Sequence, residues 1–245
     1  MKRLLVLALL VAVSAGPGRS AAQEIMAGLS HHAIGITADF AGTEILVFGA
    51  VENEGDIVVV VRGPRREVVV RKKAPVFGIW INAQSAIFQS VPGFYGLAST
   101  RPLSEIVDAD MRRVMEIGID GLRLEPADMD PSLRDEFRAA LIELKQAEGL
   151  YPVEPSTVSL AGGRLFRATI ALPAGVPVGT YAADTFLIRD GEVVAAQSSP
   201  LIVSKAGFGA EIYNFAHRES EFYGIAAVIA AVIAGLAGNL LFRRT

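Results

Sequence analysis

The sequence predicts a mainly β protein: an immunoglobulin-like β-sandwich with a two-helix insertion, followed by one C-terminal transmembrane helix. Three observations carry this expectation. Short runs rich in Val, Ile, Phe and Thr recur between turn residues on both sides of a central stretch. That stretch, at about 102–149, repeats its apolar residues at helical spacing. The run Tyr223 to Phe242 is apolar almost throughout and ends in Arg243 and Arg244.

Residues 1–22 read as a signal peptide. Lys2 and Arg3 precede the apolar Leu4 to Val13, and the small residues Ser20, Ala21 and Ala22 suit cleavage before Gln23. Ten or so apolar residues are too few to cross a bilayer. Residues 23–206 then form a periplasmic β-rich domain. Strands are expected near His32–Thr37, Glu44–Val51, Ile57–Arg62, Glu67–Lys72, Phe77–Asn82 and Ala86–Gln89, with turns at Asn53-Glu54-Gly55-Asp56 and Gly63-Pro64. Val58 to Val61 is continuously apolar, the pattern of a strand covered on both faces.

The insertion begins at Pro102, at a first helical position, and its first helix closes at Gly118. Asp130 caps a second helix with Pro131 at its start and Leu133, Phe137, Ala140, Leu141 and Leu144 on one face. Gly149 followed by Leu150 predicts a Schellman ending. Strands resume at Thr157–Leu160, Leu165–Leu172, Gly179–Ile188 and Glu192–Val203, the last two joined by the hairpin signal Arg189-Asp190-Gly191. Two smaller β modules flanking the helices are the alternative arrangement.

Residues 207–222 read as a juxtamembrane linker, 223–242 as the membrane helix and 243–245 as a cytoplasmic tail. Phe208, Tyr213, Phe215, Phe222 and Tyr223 suit an interfacial aromatic belt. At 1.5 Å per residue a twenty-residue helix covers about 30 Å, one hydrocarbon thickness. The arginines after the span place the C-terminus in the cytoplasm, so the expected location is the bacterial inner membrane, single-pass, with the domain in the periplasm. Ala227, Ala231 and Gly235 share one helix face, with Gly238 and the polar Asn239 nearby. Small residues at this spacing admit a second helix, so helix pairing is expected here.

Composition narrows the chemistry. The 245 residues contain no cysteine, which excludes disulfides, thiolate catalysis and cysteine-ligated metal clusters. Without Lys2, Arg3 and Arg19 the basic residues fall from 23 to 20 against 26 acidic ones, a charge of −6 that argues against nucleic-acid binding. No G-x-S-x-G elbow, H-E-x-x-H pair or phosphate-binding loop is present. His31 and His32, adjacent on a strand, point to opposite faces and suit a shared metal poorly. His217 stands among Arg218, Glu219 and Glu221, an interfacial cluster or a proton or metal site. Asp128, Asp130, Asp135 and Glu136 crowd a helix start, where the dipole favours acids without any calcium. Trp80, with Asn82, Gln84 and Ser85 after it, reads as a core tryptophan ahead of a ligand platform.

Four segments carry a resemblance: GLSHHAIGITADFAGTEILVFGAVE, VVVRGPRREVVVRKKAPVFGIWIN, LPAGVPVGTYAADTFLIRDGEVV and the terminal span ending in arginines. In this order they resemble the alphaproteobacterial transmembrane protein family Alph_Pro_TM, from about Gly28 to the end. The resemblance implies the topology above and suggests a partner, because such proteins are often encoded beside sulfite-exporter-like permeases. It implies no catalytic residue. The expected function is therefore a non-enzymatic accessory or scaffold subunit, without cofactor, for a polytopic inner-membrane permease, or a protein that self-associates through its membrane helix. A tethered ligand- or metal-binding module is the alternative.

Overall fold

A computed structural model describes residues 24–127, 129–207 and 220–242. Among the described residues twelve strands are formed: β1 (Ile25–Leu29), β2 (Ala33–Ile36), β3 (Gly42–Val51), β4 (Asp56–Arg62), β5 (Arg65–Val76), β6 (Ile79–Pro92), β7 (Tyr95–Ser99), β8 (Pro126–Ala127), β9 (Ser156–Ala161), β10 (Leu165–Pro173), β11 (Gly179–Arg189) and β12 (Glu192–Lys205). The helices are α1 (Leu103–Ile106), α2 (Ala109–Met115), α3 (Pro131–Ala147) and α4 (Ser220–Phe242).

Nine strands form one sheet in the order β1-β3-β10-β9-β7-β4-β11-β12-β2. Its pairs are antiparallel except β7 with β9 and β12 with β2. The sheet curls: Ala27 of β1, at one end, hydrogen-bonds through its N–H and C=O to the Gln197 carboxamide of β12, next to the other end (2.8 Å each). This corrects the immunoglobulin-like sandwich, which needs two separate facing sheets. Here the right-handed twist accumulated over nine strands brings one continuous sheet round on itself.

The core lies inside the curl. Alternation places Ile45 and Val47 of β3, Phe166, Ala168, Ile170 and Leu172 of β10, and Leu201 and Val203 of β12 in it. In β4, Ile57 to Val61 are all wholly buried, as the unbroken apolar run predicts for a strand covered on both faces. The helical insertion supplies the second cover with buried Ile106, Val107, Ile117, Leu122, Phe137 and Leu141. Its first part is broken rather than one helix: α1 ends at Ile106 and α2 starts after Asp108, whose carboxylate accepts the Met111 N–H (2.7 Å). Local capping outcompetes continuation.

α3 forms as the sequence predicts. Asp130 accepts from the Ser132 N–H (2.9 Å), Pro131 occupies the first turn, and Gly149 takes φ +70° while Leu150 N–H reaches Lys145 O (2.9 Å). The Asp190-Gly191 turn joins β11 to β12 with φ of 51° and 83°.

A second sheet, β5-β6-β8, is a long hairpin with a two-residue third strand at its base. The separate strands expected at Phe77–Asn82 and Ala86–Gln89 are one strand, β6, and the polar Asn82 to Ser85 runs through it. β1 and β7 were not foreseen. Both are short and carry glycine.

α4 runs over Ser220–Phe242, yet among the described residues no helix is long and apolar enough to cross a membrane. This overturns the expected C-terminal transmembrane helix.

Candidate functional site

The strongest polar cluster sits where β4 meets the end of α2. Arg62, the last residue of β4, is nearly buried and pairs with Asp184 of β11. Its Nη2 also donates to the carbonyls of Met115 (2.6 Å) and Glu116 (3.1 Å) at the C-terminus of α2. A guanidinium there satisfies carbonyls that the helix leaves open and faces the negative end of its dipole. Glu116, in the left-handed conformation at φ 53°, turns its carboxylate to Arg65 of β5. Arg62 Nε is buried without a hydrogen-bond partner, lying 3.9 Å from that carboxylate.

Tyr95 of β7 completes the cluster. Its hydroxyl donates to Glu116 O (2.9 Å) and accepts the Gly118 N–H (2.8 Å). Burial pushes its phenol well above the ordinary tyrosine range, so it remains a neutral hydrogen-bonding group. Tyr151 packs against it at 5.9 Å between ring centres. Each charge here is occupied in joining the insertion to the sheet, so the cluster is a clamp.

Beside it lies an open cleft of about 540 Å³ between the end of the α2 region and the start of α3. Arg113, Arg123, Arg134 and Arg138 line it together with Asp120, Glu125 and Asp135. Arg138 is held in place, donating to the carbonyls of Ile119 (3.2 Å) and Asp120 (3.1 Å). Arg134 Nε donates to Met129 O (3.2 Å). Arg113 is paired with Asp110, so the four arginines meet four carboxylates, and any small anion would be met by individual guanidinium groups rather than by a net positive charge.

The hairpin is the third feature. Its far end exposes Phe77, Ile79, Trp80 and Ile81 to solvent, Trp80 at 67%. This overturns the core placement of Trp80. Asn82, Gln84 and Ser85 are exposed beside it on the same open ribbon. Lys72 on the same ribbon pairs with Glu136 of α3, which ties the hairpin to the insertion.

The other sequence-derived candidates are scattered. His31 and His32 are exposed before β2; His31 Nδ1 lies 3.0 Å from Ser30 Oγ. Among the described residues no group of three or more His, Cys, Asp or Glu could hold a metal. Asp130 is a helix cap and Glu136 an ion-pair partner, while Asp135 reaches the arginine cleft. Ala231, Gly235 and Asn239 are exposed on α4. The side chains of Ala227 and Gly238, and all of Asp128, His217, Arg243 and Arg244, lie outside the described residues. Arg62, Asp184 and Tyr95 escaped the sequence reading, because nothing in their spacing links residues that only the fold brings together.

Neither a curated protein nor a solved structure matches the chain. A family model described as "Putative transmembrane protein (Alph_Pro_TM)" matches residues 24–244, nearly all of it. The chain belongs to this family, a membrane-associated group whose activity is uncharacterised.

Proposed function

We propose that this protein is a non-enzymatic accessory or scaffold subunit for a membrane permease, with its β body on the periplasmic side of the bacterial inner membrane. One observation carries this reading: a packed β body projects a long hairpin whose end is aromatic and aliphatic on the outside. Such an end is a contact organ, because exposed apolar side chains of this size find stability only against another apolar surface. Family membership supports the membrane association, while the permease as partner rests on the resemblance read in the sequence alone. The polar residues closest to a catalytic constellation, Arg62, Asp184, Glu116 and Tyr95, support it further, since each holds the fold together.

The test is in-cell crosslinking of the tagged full-length chain, extraction in mild detergent and mass spectrometry. A polytopic permease recovered with the chain is the expected result. Recovery of the chain alone overturns the reading.

The arginine cleft favours a second reading, a membrane-held module that binds a small oxyanion. Calorimetric titration of the full chain in detergent with sulfite and sulfate distinguishes it. Binding that disappears in Arg113→Gln with Arg123→Gln supports the module; no heat with either anion discards it.

A further inference from the structure

The hairpin end is built for one kind of surroundings. Opposed residues of an antiparallel ribbon share a face, so the register pairs Trp80 with Pro75 on one side and Ile81 with Ala74 on the other. Ile79, two residues from Ile81, lies on the second side, and Phe77 sits at the apex. Phe77, Ile79 and Trp80 are all more than 60% exposed. The end is therefore apolar on both faces and at its tip. A protein surface covers one face of a ribbon; a medium that wraps all of it is lipid.

The turn itself gives a second argument. Phe77 and Gly78 both have positive φ, 50° and 79°, the conformation in which Asn-Gly or Asp-Gly is favoured. The β11–β12 hairpin meets the same demand with Asp190-Gly191. An aromatic residue in the left-handed region is strained, so local turn chemistry does not account for Phe77.

Charge and length agree. Arg71 and Lys73 place exposed cations directly behind the apolar end, while Lys72 between them pairs with Glu136 of α3. From Phe77 back to Lys73 the ribbon measures about 13 Å at roughly 3.3 Å per residue, enough for the head-group layer and the upper acyl chains. It is far too short to span. Antiparallel pairing satisfies the inward-facing half of the ribbon's backbone groups, and the outward-facing half confines the end to the hydrated head-group layer and the uppermost acyl chains.

We infer that the β5–β6 hairpin inserts its Phe77–Ile81 end into the outer layer of an anionic bilayer, with Arg71 and Lys73 on the head groups and Trp80 at the interface. This deepens the accessory reading by naming lipid as what the hairpin touches, and it shares with that reading only the exposure of the tip. Trp80 is the one tryptophan of the chain, so its fluorescence reports the tip alone.

The full chain is reconstituted into phosphatidylglycerol–phosphatidylcholine vesicles, some with bromine at defined acyl positions. Blue-shifted emission, quenched most by shallow bromines and little by aqueous iodide, is the expected result. Phe77→Asp should return Trp80 to water. Arg71→Gln with Lys73→Gln should lower the inserted-to-withdrawn ratio by roughly fivefold per cation removed. Quenching by iodide with none by brominated lipid overturns the inference. So does protection from both quenchers, which would mean a protein occupant. Iodide quenching leaves the permease reading to its own crosslinking test, and protection from both quenchers agrees with that reading.

Discussion

The Gln197 carboxamide of β12 takes the place of a strand for Ala27 of β1, accepting its N–H and donating to its C=O at 2.8 Å each. The two bonds close the curl where no ladder runs between the strands. Gln197→Leu leaves both groups of Ala27 without these partners in a half-buried seam. The expected loss is about 1–2 kcal/mol in chemical denaturation, with faster amide exchange at Ala27. Unchanged exchange at Ala27 would show that the ends are held by packing alone.

Arg62 joins three elements, so its loss should cost more than a single hydrogen bond. Arg62→Met strands the Asp184 carboxylate and frees the carbonyls of Met115 and Glu116. A loss of about 3 kcal/mol is expected, the scale for removing one partner of a largely buried pair. Arg62→Met with Asp184→Leu should recover part of it, because no carboxylate is then left unpaired. Strict additivity in this cycle would contradict the coupling.

These two relationships also mark what the sequence can and cannot convey. The unbroken Val58 to Val61 run, the Asp130-Pro131 start of α3, its Gly149 ending and the Asp190-Gly191 turn are local signals, and each appears where expected. Gln197 and Ala27 are 170 residues apart, and Arg62 and Asp184 are 122 apart. No periodicity encodes such a meeting. Alternating short strands fit a two-sheet sandwich as well as one curled sheet, and no spacing in the sequence marks the clamp. Trp80 failed for a different reason. Burial statistics put tryptophan inside, whereas Trp80 stands on a ribbon whose far half has no neighbouring strand, β8 pairing only at Ile87 and Phe88.

Asp56 sets an acid limit. The Arg101 guanidinium, bonded to it through Nε at 3.0 Å, holds its carboxyl below the usual carboxylate range, and the Thr100 hydroxyl (2.8 Å) adds to this. A pKa depressed in the folded state gives stability that is complete above the unfolded value near ~4 and is lost as pH falls through the lower folded value. Asp56→Asn should therefore flatten the melting temperature against pH below about 4, by an amount within the ~1 kcal/mol typical of a solvent-exposed ion pair. An identical acid slope in both proteins would assign the loss to other carboxylates.

Three buried phenols set the alkaline limit. Burial pushes Tyr181 up to about 12 and raises Tyr95 and Tyr151 as well. Above pH ~10 the unfolded chain releases these protons while the folded one retains them, so stability is intact below pH ~10 and declines as pH climbs toward the folded values. Absorbance at the phenolate band, followed together with circular dichroism, should show the buried tyrosines ionising only along with unfolding or near pH 12. Tyr181→Phe removes one such group and should lessen the decline between pH 10 and 12, although at neutral pH it loses the bond to Pro177 O (2.6 Å) and is about 1 kcal/mol less stable. The two curves therefore converge with rising pH. Parallel curves would mean that Tyr181 is as free to ionise in the folded protein as in the unfolded chain, and that its burial against Phe94 (6.0 Å between ring centres) does not desolvate the hydroxyl.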